Sequence, residues 1–120
     1  MNDIDKIKID KPWGYEILFA KTEFYAGKIL KINSGEQLSL QFHEKKDETI
    51  YLYAGKMKFI VEEDGKLVKK TLEKGMTYRI KPGTKHRMIA LKDCVVFEVS
   101  TPYLNDVIRL EDKYGREDKL

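Results

Sequence analysis

Up to Pro102 the chain shows no stretch with a helical period; it is cut instead into short alternating runs by glycine turns. Asn33-Ser34-Gly35, Gly55, Asp64-Gly65, Lys74-Gly75 and Pro82-Gly83 punctuate it, and Asp64-Gly65 is a strong hairpin signal. Strand character is read at residues 15–20 and at 25–32. It returns at 49–54, at 56–63 with Met57, Phe59 and Val61 on one face, and at 66–72. Further runs cover 76–80, 86–91 and 94–100. Many short strands at close spacing predict an antiparallel all-β sandwich or barrel. Residues 105–110 fit either a helical turn capped by Asn105 or a final strand.

With 120 residues there is room for one core, so the expectation is a single domain over 1–120. Its core would span 11–116, with an N-terminal arm at 1–10 and a C-terminal tail at 117–120. Ile4, Ile7 and Ile9 alternate in the arm, a pattern for an edge strand or a free segment. Trp13, after Pro12, reads as a packing residue. The 23 basic and 20 acidic residues leave a net charge of +3, too even and too interleaved to predict a nucleic-acid partner. No apolar run approaches a membrane span, and the N-terminus lacks the apolar segment of a signal peptide. The single Cys94 cannot form an internal disulfide and reads as a core residue in a reducing compartment. A cytoplasmic protein is therefore expected.

The chemistry concentrates between Gly35 and Gly55. Gln41 and His43 are two apart in an apolar-flanked run, so on a strand they share a face. Glu48 opens the next run. The interval Glu44-Lys45-Lys46-Asp47 is short enough for a hairpin, which would fold Glu48 back beside them. His86, the second of only two histidines, follows the Pro82-Gly83 turn and completes four donors suited to a divalent cation with positions left for water or substrate.

Gly35, Gln41, His43, Glu48 and Gly55, followed by Gly75, Pro82, Gly83 and His86, resemble the two motifs of the cupin superfamily. Gln41 stands where the first motif usually has a histidine, and Ala90 where the second often has Asn. The run Leu38-Ser39-Leu40-Gln41-Phe42-His43 is similar to the signature of type II mannose-6-phosphate isomerases. Lys11-Pro12-Trp13-Gly14, Lys85-His86-Arg87 and residues 107–116 (VIRLEDKYGR) agree with that family's cupin domain. One departure surrounds the carboxylate: Lys46-Asp47-Glu48-Thr49-Ile50 replaces the family's Arg-x-Glu-x-Trp.

The resemblance implies a cupin double-stranded β-helix, a jelly-roll barrel. It makes Gln41, His43, Glu48 and His86 ligands of one divalent metal ion, zinc ahead of manganese, cobalt, iron or nickel. Arg109 and Lys85 become pocket bases near the substrate, a small sugar or sugar phosphate, and a homodimer is implied. The function expected is aldose–ketose isomerisation through an enediol. Two alternatives stand beside it: a non-catalytic sugar-binding or regulatory cupin, and an Fe(II)-dependent dioxygenase. Larger members of that family carry a nucleotidyltransferase domain; this chain has no room or phosphate loop for one, and sugar-nucleotide synthesis is not expected of it. Arg109 or Arg87 is expected to hold a phosphate. Glu44, Asp47 and Lys85 lie near the ligands in sequence, yet none is identified as the general base. Tyr114, Phe42 and Tyr51 read as core or interface.

Overall fold

The computed structural model describes residues 7–118. Its first strands are β1 (Lys8–Lys11), β2 (Gly14–Lys21), β3 (Ala26–Ile32), β4 (Leu40–Phe42) and β5 (Glu48–Ala54). There follow β6 (Lys56–Glu63), β7 (Lys66–Glu73), β8 (Thr77–Ile80), β9 (His86–Ala90), β10 (Cys94–Ser100) and β11 (Ile108–Glu111). They form two antiparallel sheets, one in the order β1-β2-β3-β10-β5-β8 and the other β11-β4-β9-β6-β7. The turn spacing predicts an antiparallel all-β sandwich or barrel, and the architecture is the jelly-roll barrel that the resemblance implies. Among the described residues no helix is long and apolar enough to cross a membrane.

Strand alternation builds the interior. On β6, Met57, Phe59 and Val61 are wholly buried, and they pack with Leu52, Ile80, Met88 and Val96 from both sheets. Burying side chains of this size stabilises the fold by about 1.5–3 kcal/mol each. Trp13 is 3% exposed and belongs to the same cluster, and Cys94 is buried within it. The β6–β7 hairpin turns through Asp64 at φ 52° and Gly65 at φ 78°, two consecutive left-handed residues. That is the geometry the Asp-Gly pair favours. At Gly55, φ is 96° and a Cβ would stand 2.2 Å from the Asp93 carbonyl oxygen, so close packing of the β5–β6 corner on the 93–94 backbone requires glycine.

The arm contributes an edge strand, since β1 pairs with β2 from Lys8 to Lys11; Ile4 lies outside the described residues. Within residues 105–110 the strand begins at Ile108, because β11 pairs with β4 and places Arg109 opposite Gln41, while 105–107 form an irregular turn. Asp118 is tied to that strand: its amide donates to the Arg109 carbonyl, and its carboxylate accepts from the Arg109 amide.

The 43–47 connection differs from the expected hairpin. β4 lies in the five-stranded sheet and β5 in the six-stranded one, so the segment arches across the barrel mouth. Asp106 holds the arch: its carboxylate accepts from the amides of Glu44, Lys45 and Lys46 at 3.0, 2.7 and 2.9 Å. Asp47 then docks on Thr101 through two further hydrogen bonds. Capping of three successive amides by one carboxylate distant in sequence takes the place of a two-strand ladder here.

Candidate metal centre

His43 follows β4, His86 opens β9, and Glu48 opens β5, so the arch and the pairing of Gln41 with His86 bring three donors from two sheets together. Their ligand atoms lie within 4.8 Å of one another, and all three residues are buried. The imidazoles are oriented by backbone carbonyls: His43 Nδ1 meets the Asp106 carbonyl at 2.5 Å, and His86 Nδ1 meets that of Thr84 at 2.9 Å. A carbonyl only accepts, so each Nδ1 carries the proton and each Nε2 keeps its lone pair. Both Nε2 atoms are buried with no hydrogen-bond partner, and each stands 3.4 Å from Glu48 Oε1. Donors bound at ~2.1 Å to one tetrahedral ion stand about 3.4 Å apart. Two orphaned lone pairs aimed at one carboxylate oxygen therefore fit a divalent cation.

Electrostatics around the cluster is set by a lysine. Lys46, 6% exposed, places Nζ 2.9 Å from Glu48 Oε2, in charge contact but off the hydrogen-bonding direction. The same Nζ lies 3.3 Å from Glu98 Oε2, where it does donate a hydrogen bond. Burial pushes the Glu48 carboxyl up, and the charge of the Lys46 ammonium at its other oxygen pulls it down. For Lys46, burial is outweighed by Glu98 and Glu48, and its pKa is raised. Burial and the Glu48 charge push Glu98 up.

A pocket of ≈ 540 Å³ opens beside the cluster, within the range of small-ligand sites. Gln41, His43, Lys46 and Glu98 line it together with Arg109, and Trp13, Leu30 and Leu38 supply an apolar wall. Gln41 stands near the cluster, its Oε1 accepting from the Ser39 hydroxyl at 2.6 Å. Arg109 also reaches the pocket, and its Nε is buried without a partner.

Lys85 is placed elsewhere. One residue before His86, it is exposed and is not among the residues lining the pocket. Arg87 is a structural clamp whose Nε and Nη2 donate to the carbonyls of Leu38 and Glu111, which removes it as a phosphate holder. Asp47 is spent on a two-pronged pair with Arg79. Buried Glu98 and Glu16 are residues that reasoning from the sequence missed, while Lys46 stood out there only as a departure beside Glu48 and not as a buried charge. A signal was available for Glu98, which occupies the same inward phase of β10 as Cys94 and Val96.

A jelly-roll barrel with two histidines and a glutamate converging at its mouth defines a small β-barrel protein with a candidate metal site. The cupin-domain family model matches residues 28–100, and the chain belongs to the cupin family. Among curated proteins none matches it. Solved structures do. KdgF from Halomonas sp. is 22% identical with a TM-score of 0.73, over 88% of this chain and 94% of that one. Oxalate decarboxylase from Bacillus subtilis is 19% identical with a TM-score of 0.75, over 86% of this chain but 29% of that one. The capsular polysaccharide assembling protein CapF from Staphylococcus aureus is 17% identical with a TM-score of 0.74, over 87% and 34%. At these identities the likeness speaks to the fold.

Proposed function

We propose that this cupin is a metal-dependent isomerase of a small phosphorylated sugar, interconverting an aldose and a ketose of the mannose-6-phosphate type. The observation that carries the reading is the pair of orphaned imidazole nitrogens facing Glu48, beside a pocket whose wall holds the unpartnered Arg109 Nε. His43, Glu48 and His86 would hold the ion, with Gln41 as the adjacent fourth donor. Held by these residues, a divalent cation would supply Lewis-acid charge for polarising the sugar's oxygens. Arg109 would take the phosphate through charge-assisted N–H donors, and Trp13 with Leu30 and Leu38 would pack the C–H face of the sugar.

The test has two stages. Metal analysis of the purified chain is expected to find one divalent ion per protein, lost in His43→Ala and His86→Ala; a native protein that binds none overturns the reading. A coupled assay over phosphorylated aldoses and ketoses is then expected to show turnover that requires the ion. Metal bound with no turnover across the panel replaces isomerisation with the sugar-binding alternative, and oxygen uptake with ferrous iron replaces it with the dioxygenase one.

A further inference from the structure

Glu98 is a buried carboxylate outside the three-donor cluster. It sits on the inward phase of β10 behind Cys94 and Val96, is 5% exposed, and still lines the pocket shared by Gln41 and His43. Burying a carboxylate costs several kcal/mol, and replacing a buried ion pair by apolar residues is often neutral or stabilising. Its pairing with Lys46 therefore does not account for its presence.

The neighbouring carboxylates are engaged or face elsewhere. Glu48 faces the two imidazoles and Lys46. Glu16 is shared by Lys28 at 3.4 Å and Lys11 at 3.9 Å. Asp47 pairs with Arg79, and Glu44 lies on a different surface depression. Glu98 engages Lys46 through Oε2 alone, and Lys28 stands directly opposite it on β3.

We propose that Glu98 is the residue that carries the proton between C1 and C2 of the sugar, and that Lys46 is a positioning residue holding its carboxylate on the pocket wall. The inference rests on the isomerase reading. Glu98 takes the C2 proton; the C–H pair becomes the C1=C2 bond, and the C1=O π pair moves onto O1. The O2 proton passes to O1, the O2 pair re-forms a carbonyl at C2, and Glu98 returns its proton to C1. One hydrogen has moved between carbons and one between oxygens, with no oxidant or reductant. A carboxylate on one face of the enediolate suffices for both carbon transfers.

The experiment uses the full chain loaded with its divalent ion, incubated in deuterium oxide with the panel of phosphorylated aldoses and ketoses. Turnover and deuterium at C1 and C2 are read by NMR. Wild type is expected to isomerise a sugar and incorporate deuterium. Glu98→Gln should lower kcat by about 10²-fold or more with KM within about threefold, while keeping its metal. Glu98→Asp, which retains a carboxylate, should recover at least about tenfold of that loss. Glu98→Gln with kcat near wild type overturns the assignment and leaves the isomerase reading intact. Both variants equally inactive and stripped of metal also overturn it, marking Glu98 as structural. Wild type that neither turns over nor exchanges a C–H on any sugar overturns both proposals.

Discussion

Lys46 is the residue on which the site's charge balance turns. Its ammonium separates two buried carboxylates, Glu48 and Glu98. Removing one partner of a buried pair leaves uncompensated charge, at a cost of about 3–5 kcal/mol. Lys46→Ala is therefore expected to shift the urea midpoint down by that free energy, and Lys46→Ala with Glu98→Leu to recover part of it; a single variant as stable as wild type would contradict the pairing. Arg109 acts on the ligand instead. Its Nε has no partner among the described residues, so Arg109→Ala should leave stability near wild type and raise KM for a phosphorylated sugar by about 10- to 100-fold, the worth of a charge-assisted hydrogen bond. An unchanged KM would remove Arg109 from the phosphate role. His43, Glu48 and His86 were readable in the sequence because their spacing around glycine turns is regular. Lys46 was not: in a run of four charged residues it resembles a solvated loop, and only the arch over the barrel mouth turns it inward.

That arch shows where element-level reading succeeds and fails. Asp64-Gly65 specified its hairpin because the left-handed turn is a property of two adjacent residues. Residues 43–47 have hairpin length, but their path is decided by Asp106, some sixty positions away, whose carboxylate gathers three successive amides. Short-range signals cannot register a cap supplied from that distance. Asp106 also orients His43 through its backbone carbonyl, so arch and metal site are coupled. Burial alone would raise the Asp106 pKa, but the amide donors outweigh it and lower the value. A depressed carboxyl contributes stability that is complete above its unfolded pKa and is lost as pH falls through the folded one. Asp106→Asn should therefore be less stable than wild type at neutral pH, with the gap closing under acid as the wild-type carboxylate is protonated. Urea titrations at several pH values check this, and a gap that widens toward acid would reverse the assigned sign.

At the scale of the whole molecule, two sheets are joined by one core and one charged cluster. The outer face of the six-stranded sheet exposes Phe19, Tyr51, Tyr53 and Val99, with Phe97 stacked on Tyr53 at 4.9 Å. Contiguous exposed apolar surface of this kind marks association sites. For the expected homodimer, sedimentation should give twice the chain mass, reduced to one by Phe19→Glu with Tyr53→Glu; a monomeric wild type would dismiss it. The cluster makes a separate claim. Its histidines belong to the five-stranded sheet side and Glu48 to the six-stranded one, so an ion bound between them cross-links the halves of the barrel in the native state only. A ligand that binds only the folded chain stabilises it by about 2.7 kcal/mol at a hundredfold excess over Kd. For a chain of this length that is a rise in Tm of roughly 8–15 °C. Chelation followed by stepwise return of zinc or manganese should move Tm along this logarithmic course, and His86→Ala should abolish the shift. A Tm indifferent to metal in the wild-type chain would mean that the three donors do not act together on one ion.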